Sequence, residues 1–515
     1  MTRPALRRRV GWVVGAALGA AALAVGRRRR TAPASPGPAG LPLRTSRPAR
    51  TVELARLGVA TAGAEAAHRA RRAVTPVGRR EHLDMTHALR TAASVADTLG
   101  HLRGALMKLG QMASYLDEGL PEPLRVALAG LQEGAPPMTA ELAASVVEAE
   151  LGAPPWRLFA RWDPLPVAAA SIGQVHRAVT LDGRDVAVKV QYPGVDEAIR
   201  ADLGTAGTLF RGLSHLYPGL DPGPLVDELS DRLREELDYR HEADNQQLFA
   251  DFYADHPFIA VPAVVPELSA GRVLTSEWAP GVRFEEALDW PAEDRDRVAE
   301  TIFRFVFRSI YRVHAFNGDP HPGNYRVERG GRVWFLDFGL VKRFEPAETA
   351  TFASMIQSIV LERDPVRFRQ VVEDAGLLAR GLPFTDADIA AYFSAFYELV
   401  REPEPRLVDA AYASELVRRT FDASGPHGGI LNAANIPPPF VIIQRINLGL
   451  VAVLARLGAT ANWRLIAEEL WPWVSGPPAT PLGEQEAQWL AVHHPGPRPD
   501  GVLDPVIQGR STRGA

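Results

Sequence analysis

The 515-residue sequence predicts an α+β fold in which two strand-containing regions are embedded in a mainly helical chain. Residues 175–192 alternate between apolar and polar side chains around Asp182-Gly183, which is typical of a β-hairpin. Residues 325–339 form a second such pattern around Gly330-Gly331. Over 52–134 and most of 345–475 the apolar residues follow a helical period instead.

Composition excludes several classes of function. The chain has 46% hydrophobic and 23% charged residues, as globular proteins do, and its length favours two or three units. It has no cysteine, so disulfides, thiolate metal sites and cysteine nucleophiles are excluded. A net charge of −4 offers no general basis for nucleic-acid binding, and we expect no nucleic-acid partner.

The first 30 residues carry eight arginines and no acidic residue. The arginines flank an uncharged segment, 10–26, that would form a helix about 25 Å long. We interpret it first as a membrane anchor. A secretory signal and a helix packed on the protein or at an interface are the alternatives, although the arginines after the apolar run oppose export. A later apolar run, 440–458, is interrupted by charges and predicts a core helix.

The strongest chemical signal lies in NGDPHPGN (317–324) and LDFG (336–339). An aspartate on a loop, Asp319, can orient an attacking hydroxyl or water. Asn324 and Asp337, which the second hairpin should bring together, offer the oxygen ligands that Mg²⁺ prefers. This spacing is that of the catalytic and metal loops of protein kinases, where the metal neutralises nucleotide phosphates.

A kinase also needs a strand lysine for the α- and β-phosphates, and VAVK (186–189) supplies Lys189. The segment AAASIGQV stands where the phosphate loop would be, with alanine at two glycine positions, so we expect a stiffer loop. A plain strand–turn–strand around a buried lysine stem is the alternative. The predicted nucleotide contacts in this segment are Ala168, Ala169, Ala170, Ser171, Gly173 and Val175.

The lysine should have an acidic partner on a helix, and the helical pattern of 224–250 offers Glu236. Glu235 is the rival for this ion pair, although a solvated acidic face is its better interpretation. The strand predicted at 272–278 is interpreted as the hinge, where the backbone of Glu277 and Ala279 could bond to adenine.

A long helix is predicted over 291–316, with the arginines of 304–312 on its polar face. Among the histidines, His321 is the one we expect to shape the catalytic loop. An earlier helix contains LMKLGQMAS (106–114), which places Lys108 and Gln111 on one face at the cost of a glycine inside the helix.

These motifs resemble the UbiB-like family of atypical kinases, also called aarF-domain-containing kinases. The matching segments run in family order over about residues 85–460 and include KLGQ, AAASIGQVHRA, VAVKVQYPGV, ELDYRHEADN, DPHPGN and LDFG. The resemblance implies a protein-kinase-like two-lobed fold, with a small β-containing N-lobe, a helical C-lobe and a helical N-terminal extension. It also implies that Lys108 and Gln111 face the active site, that Lys189 pairs with Glu236, and that Asp238 lies near the extension.

On this basis we divide the chain into six segments: an apolar segment with basic flanks (1–30), a Pro/Gly-rich linker (31–51), the helical extension (52–164), the N-lobe (165–282), the C-lobe (283–475) and a mobile tail (476–515).

The resemblance implies an ATP- or ADP-binding, Mg²⁺-dependent kinase or ATPase at a membrane that supports isoprenoid quinone or lipid metabolism. Its expected partners are a nucleotide, a membrane lipid or isoprenoid quinone precursor, and lipid-biosynthesis proteins. The kinase domain should be cytoplasmic and held at the inner membrane by residues 10–26. One departure is Asn317, where the family often has histidine. Because of this departure, a small-molecule phosphotransferase of the aminoglycoside or choline type is one alternative function. The other alternative is a nucleotide-sensing scaffold with little turnover.

Overall fold

A computed structural model describes residues 138–170, 172–195, 237–317, 321–421, 425–435 and 437–494. Contacts divide the chain into two units. Of the described residues, the first unit contains 138–146, most of 164–176 and 189–195, and the second contains 147–163, 177–188 and everything from 237 onward. Lys108, Gln111, Ser171, Glu236, Asp319 and the segment 10–26 lie outside the described residues.

The described strands, β1 to β13 in chain order, span Phe159–Trp162, Ala168–Ala169, Gly173–Thr180, Asp185–Gln191, Ile259–Ala260, Val273–Glu277, Val282–Arg283, Ala315–Asn317, Tyr325–Val327, Val333–Phe335, Val341–Arg343, Arg406–Val408 and Ala459–Ala461. The described helices, α1 to α13, span Ala140–Leu151, Pro155–Leu158, Tyr239–Phe252, Phe284–Ala287, Ala292–Arg308, Pro346–Ile356, Pro365–Asp374, Asp386–Phe393, Ala410–Phe421, Gly428–Ala433, Pro438–Leu457, Trp463–Leu470 and Pro481–His493.

In the first unit, β2 pairs antiparallel with the start of β3. Gln174 on β3 is fully buried, and its side-chain oxygen accepts a hydrogen bond of 2.8 Å from the backbone N–H of Met138. Its amide nitrogen lies 2.9 Å from the ring of His176. A buried amide needs such partners, and these tie the strand to the segment that precedes α1.

The second unit contains a sheet in the order β1-β3-β4-β6, which includes the later part of β3 and the first part of β4. A second sheet has the order β5-β10-β9-β7. Strand β1 lies inside the segment 52–164 that the sequence assigns to a helical extension. Since β1 pairs antiparallel with β3, the sheet begins before the predicted boundary at 165.

One hydrophobic core extends through the second unit and is rich in phenylalanine. Phe305 on α5 stacks on Phe335 of β10, with ring centroids 3.6 Å apart. Phe249 on α3 contacts both Phe305 and Phe338, at 5.9 and 5.0 Å. This aromatic layer joins α3, α5 and the second hairpin, and therefore positions the LDFG segment.

The helix predicted over 291–316 ends earlier than expected. Helix α5 stops at Arg308, a π-helical turn follows over Ser309–Val313, and His314 adopts a left-handed conformation with φ of 52°. The chain then enters β8, which pairs antiparallel with β11. The residues of β8 thus follow a helical pattern in the sequence but pair with β11, the strand after LDFG. This tertiary pairing overrides the local helical preference.

The prediction that the arginines of 304–312 form a polar helix face is wrong for Arg304 and Arg308, which are both buried. Arg304 makes ion pairs of 2.8, 2.9 and 2.8 Å with Glu300, Glu469 and Glu486. Glu486 belongs to α13, a helix inside the predicted mobile tail, and the buried Trp489 follows it. This tail segment is therefore part of the folded second unit.

Candidate functional site

The second hairpin brings the two predicted metal ligands to its open end. Strands β9 and β10 pair antiparallel, with Tyr325 opposite Phe335. Beyond this pair, the backbone N–H of Leu336 donates to the carbonyl of Asn324 at 3.0 Å. Asn324 and Asp337 therefore lie just beyond the open end of the hairpin, opposite its Gly330-Gly331 turn.

The loop before Asn324 is shaped by a histidine. Residues Pro322–Asn324 form a 3₁₀ turn, and the Nδ1 atom of His321 accepts a hydrogen bond of 3.1 Å from the N–H of Gly323. A Cβ atom at position 323 would lie 3.0 Å from that ring nitrogen, so glycine allows the close approach. The predicted role of His321 in shaping this loop matches this arrangement.

The strand that leads into Asp319 is paired with the strand that follows Asp337. On β8 and β11, the backbone of Asn317 lies opposite Val341. The carbonyl of His314 accepts a hydrogen bond of 2.7 Å from the N–H of Phe344 at the other end of this pair. Burial lowers the pKa of His314 below its usual value of 6.5, so its imidazole is mainly neutral at pH 7.

The Asp-Phe-Gly turn has its own internal support. A carboxylate oxygen of Asp337 accepts a hydrogen bond of 3.0 Å from the N–H of Gly339. Phe338 is fully buried, and its carbonyl accepts a hydrogen bond of 3.3 Å from the side-chain amide of Asn245. Helix α3 therefore holds this turn through Asn245 and the Phe249 ring.

Sequence reasoning missed Glu242, a buried carboxylate on the same helix face. A Cβ atom at Gly339 would lie 3.6 Å from Glu242 Oε2 and 3.4 Å from Asp337 Oδ1, so both carboxylates border this glycine. Glu242, Asn245 and Phe249 are spaced by three and four residues, which is the signal that could have found this face. The side chain of Asp238 caps this helix by accepting a hydrogen bond of 3.0 Å from the N–H of Arg240.

In the first unit, the alanine segment forms a tight strand–turn–strand. Ala168 lies opposite Val175 and Ala169 opposite Gln174, and the N–H of Ala170 donates to the carbonyl of Gly173 at 2.8 Å. Lys189 lies on β4 and is partly buried. A short turn of this kind fits the expected stiff phosphate loop, and it also fits the plain hairpin that was the alternative.

The predicted hinge is the end of strand β6 and the residues after it. The N–H of Glu277 donates to the carbonyl of Ala263 at 2.9 Å, and the N–H of Trp278 donates to the carbonyl of Asp185 at 3.0 Å. The N–H of Glu277 is therefore already paired, and adenine could bond only to the carbonyl of Glu277. Ala279 follows as a buried residue.

Asn324 and Asp337 offer one amide oxygen and one carboxylate to a metal ion. The part of the chain that the structure describes contains no group of three histidine or carboxylate residues that could hold a metal ion. Mg²⁺ is commonly bound through one or two side chains, with waters and substrate phosphates as the other ligands. Asn324 and Asp337 fit that mode, and they do not fit a metal held by protein alone.

One described helix, α11, includes a stretch, Pro439–Leu457, that is long and apolar enough to cross a membrane, with a mean hydropathy of 1.7. Core helices of soluble proteins meet the same criterion, and a third of this stretch is buried within the fold. Ile446, Leu450 and Leu454 are among its buried residues, which agrees with the predicted core helix.

Comparisons with known proteins identify relatives. The family model described as the ABC1 atypical kinase-like domain matches residues 130–372. Protein ACTIVITY OF BC1 COMPLEX KINASE 8, chloroplastic, from Arabidopsis thaliana is 33% identical over 321 residues, which are 60% of this chain and 42% of the relative. Atypical kinase COQ8B, mitochondrial, from Rattus norvegicus is 33% identical over 304 residues, 58% of this chain and 57% of the relative. The chain thus spans about half the length of these curated relatives.

A solved structure agrees with these matches. It is described as the complex of Rv3197 with erythromycin, from Mycobacterium tuberculosis. It is 33% identical in sequence, with a TM-score of 0.58, and the match covers 77% of this chain and all of that chain.

Proposed function

The chain belongs to the ABC1 atypical kinase-like family, of the UbiB type, and we propose that it binds ATP or ADP with Mg²⁺ and acts as an atypical kinase or ATPase. The predicted family and the predicted kinase-like fold, with an N-lobe sheet and a helical C-terminal region, are both confirmed. The nucleotide, the metal and the reaction remain part of the proposal.

The observation that carries the proposal is the placement of Asn324 and Asp337 at one end of the β9–β10 hairpin. Bound there, Mg²⁺ would neutralise the charge of the nucleotide phosphates. Asp319 is assigned to orient the attacking hydroxyl or water, and Lys189 to contact the α- and β-phosphates. The alanine turn limits how closely backbone can approach a phosphate, and it fits a nucleotide preference unlike that of kinases with glycine there.

The decisive experiment measures Mg²⁺-dependent nucleotide binding by calorimetry on purified protein. We expect Asp337→Asn to lose most of the Mg²⁺ dependence, because an amide lacks the charge that attracts the metal. Asp289→Asn is the matched control, since Asp289 is an exposed aspartate of the same unit. No Mg²⁺-dependent binding by the wild type, or equal binding by wild type and Asp337→Asn, would overturn the proposal.

We also propose that the protein works at a membrane and supports isoprenoid quinone or lipid metabolism. The support is the apolar segment 10–26 between arginines and the family resemblance. We expect liposomes to raise nucleotide turnover, and deletion of 1–30 to remove that increase. Equal turnover with and without liposomes would count against a functional anchor. Gene deletion followed by lipid and quinone profiling tests the pathway.

The second candidate, transfer of phosphate to a small-molecule hydroxyl, is favoured by one observation. The Rv3197 structure, which is 33% identical to this chain, was solved with erythromycin, a molecule that carries hydroxyl groups. Mass spectrometry of a macrolide incubated with protein, ATP and Mg²⁺ separates the two functions. A phosphorylated macrolide supports the transferase, whereas phosphate release with unchanged macrolide supports the ATPase.

A further inference from the structure

A cavity of about 550 Å³ lies among helices of the second unit that follow the catalytic and metal loops. It is bounded by the end of α8, the 3₁₀ turn Ser394–Val400, strand β12 and the last turn of α9. Small-molecule sites typically measure about 300–1,000 Å³. None of the residues assigned above to nucleotide or Mg²⁺ is among those lining it.

The described lining has an excess of positive charge. Two glutamates and four arginines line the cavity: Glu398, Glu402, Arg401, Arg406, Arg418 and Arg419. Outside the lining, Glu415 pairs with Arg418 at 2.6 Å and with Arg419 at 3.2 Å. A guanidinium carries five N–H donors, which is more than one carboxylate can accept. The cavity therefore favours an anion with several acceptor oxygens.

One glutamate fixes the position of two of these arginines. Glu398 is only 23% exposed, and it lies 2.9 Å from Arg406 and 2.7 Å from Arg419. A guanidinium held on one side by a carboxylate loses less freedom when its other donors bind a ligand. Arg406 and Arg419 are thus pre-oriented at the cavity wall.

Arg401 is the least neutralised of the four. Among the described residues its ion-pair partner is Glu402, at 3.8 Å, which is beyond hydrogen-bond distance. Glu402 itself is engaged at 2.7 Å by Arg363. The positive charge of Arg401 is therefore available to an anion in the cavity.

Another part of the lining is apolar and aromatic. Tyr392 is buried, and its ring centroid lies 6.4 Å from that of His427. Ala391, Ala395 and Pro426 also line the cavity. A wall of this kind suits a ring or another apolar body attached to the anionic group.

We propose that this cavity binds a phosphorylated small molecule with an apolar or aromatic body. A phosphate monoester carries close to two negative charges at pH 7, and it could pair with Arg401, whose carboxylate partner lies 3.8 Å away. Its oxygens match the fork of donors that each arginine presents. The phosphate could belong to a soluble metabolite or to a lipid headgroup, and the experiment separates these sources.

The test measures binding of 1-naphthyl phosphate to the full chain by calorimetry, with 1-naphthol as the uncharged probe. We expect saturable binding of the phosphate ester alone. Arg401→Gln should weaken it about tenfold or more, because charge-assisted hydrogen bonds are lost. Arg380→Gln, which changes an exposed arginine outside the cavity, should leave it unchanged. Asp337→Asn should also leave it unchanged, which excludes binding at the nucleotide site.

A second arm uses phosphatidylcholine vesicles with and without phosphatidic acid. Vesicle binding that requires phosphatidic acid and is weakened by Arg401→Gln assigns the phosphate to a lipid. Binding of the soluble ester alone assigns it to a metabolite. The proposal is overturned if neither probe binds, or if Arg401→Gln binds both probes as tightly as the wild type does.

Discussion

The guanidinium of Arg304 on α5 and the carboxylate of Glu486 on α13 lie 2.8 Å apart, and both are buried. Arg308 approaches the same carboxylate at 3.0 Å. Burial by itself would raise the pKa of Glu486, but Arg308, His256 and Arg304 outweigh it and hold the pKa well below the usual value. Glu486 is therefore an ionised carboxylate inside the second unit that two buried arginines share.

Replacing that carboxylate should be costly. We expect Glu486→Gln to lower the free energy of unfolding by about 3–5 kcal/mol, because two buried guanidinium groups lose their shared counter-charge. Glu293→Gln, which removes an exposed ion pair to Arg297 on α5, should change it by less than about 1 kcal/mol. Urea unfolding of both variants is the measurement, and equal losses would contradict the assigned role.

Acidification should destabilise the protein in two separate pH ranges. Burial lowers the pKa of His256, which stays below its usual 6.5 although Glu486 opposes the shift. A histidine with a depressed pKa stabilises the fold above pH 6.5, and this stability is lost as the pH falls toward the folded-state pKa. The depressed pKa of Glu486 acts in the same direction, starting below about 4.5.

The variant His256→Gln separates these ranges, since it removes the first titration and keeps the second. Its free energy of unfolding should vary less between pH 6.5 and 5 than that of the wild type, for which one group contributes up to about 1.4 kcal/mol per pH unit. Chemical unfolding at a series of pH values provides the comparison. Identical pH profiles for both proteins would show that His256 does not titrate on unfolding.

A glycine on α13 is required by the same buried charges. A Cβ atom at Gly483 would collide with Glu469 and would lie 2.7 Å from Arg304 Nη2. We expect Gly483→Ala to lower the free energy of unfolding by about 1–3 kcal/mol, because the packed charges have to move apart. Gly476→Ala is the control, since a Cβ atom there meets nothing within 4 Å. A Gly483→Ala variant as stable as the control would contradict this packing.

The glycine of the Asp-Phe-Gly turn should respond differently. A Cβ atom at Gly339 meets Asp337 and Glu242 only at ordinary contact distances, so Gly339→Ala should fold with a stability change below about 1 kcal/mol. The added methyl lies against the Asp337 carboxylate, and we expect Mg²⁺-dependent nucleotide affinity to fall about tenfold. Calorimetry with thermal unfolding tests both parts, and unchanged affinity would show that metal does not approach from this side.

Lys108 yields a prediction that lies outside the described residues. If it faces the active site, Lys108→Ala should change the preference between ATP and ADP, or release self-phosphorylation, while the fold persists. Nucleotide titrations and a radiolabelled autophosphorylation assay measure these effects. Unchanged results in both would leave the 106–114 segment as a helix that only packs.

Local patterns predicted the second hairpin and the closeness of the residues at its two ends. The hairpin over 325–339 was readable because its alternation and its paired glycines are contained in fifteen residues. The same locality made the Asn324–Asp337 pairing predictable. The inward face of α3 was harder to predict. The segment carries several carboxylates, and which of them point inward depends on where the helix begins. That is why Glu242 was missed; Glu236, the residue chosen for the ion pair, lies outside the described residues.

Long-range partners account for the other errors. Arg304 and Arg308 follow a helical period that is normal for a solvated face. The carboxylates that pair with them in the interior come from α12 and α13. Nothing near residue 304 indicates those partners. The Pro/Gly content after 476 is typical of a mobile tail, and it conceals a helix whose Glu486 and Trp489 are buried.

The ion pair between α5 and α13 also has a consequence for synthesis on the ribosome. Glu486 follows Arg304 by 182 residues, so at about 5–20 residues per second it emerges about 10–40 s later. During that interval Arg308 lacks this counter-charge, whereas Arg304 can already pair with Glu300 on its own helix. We therefore expect the last folding step of the second unit to await α13, with apolar surface exposed until then.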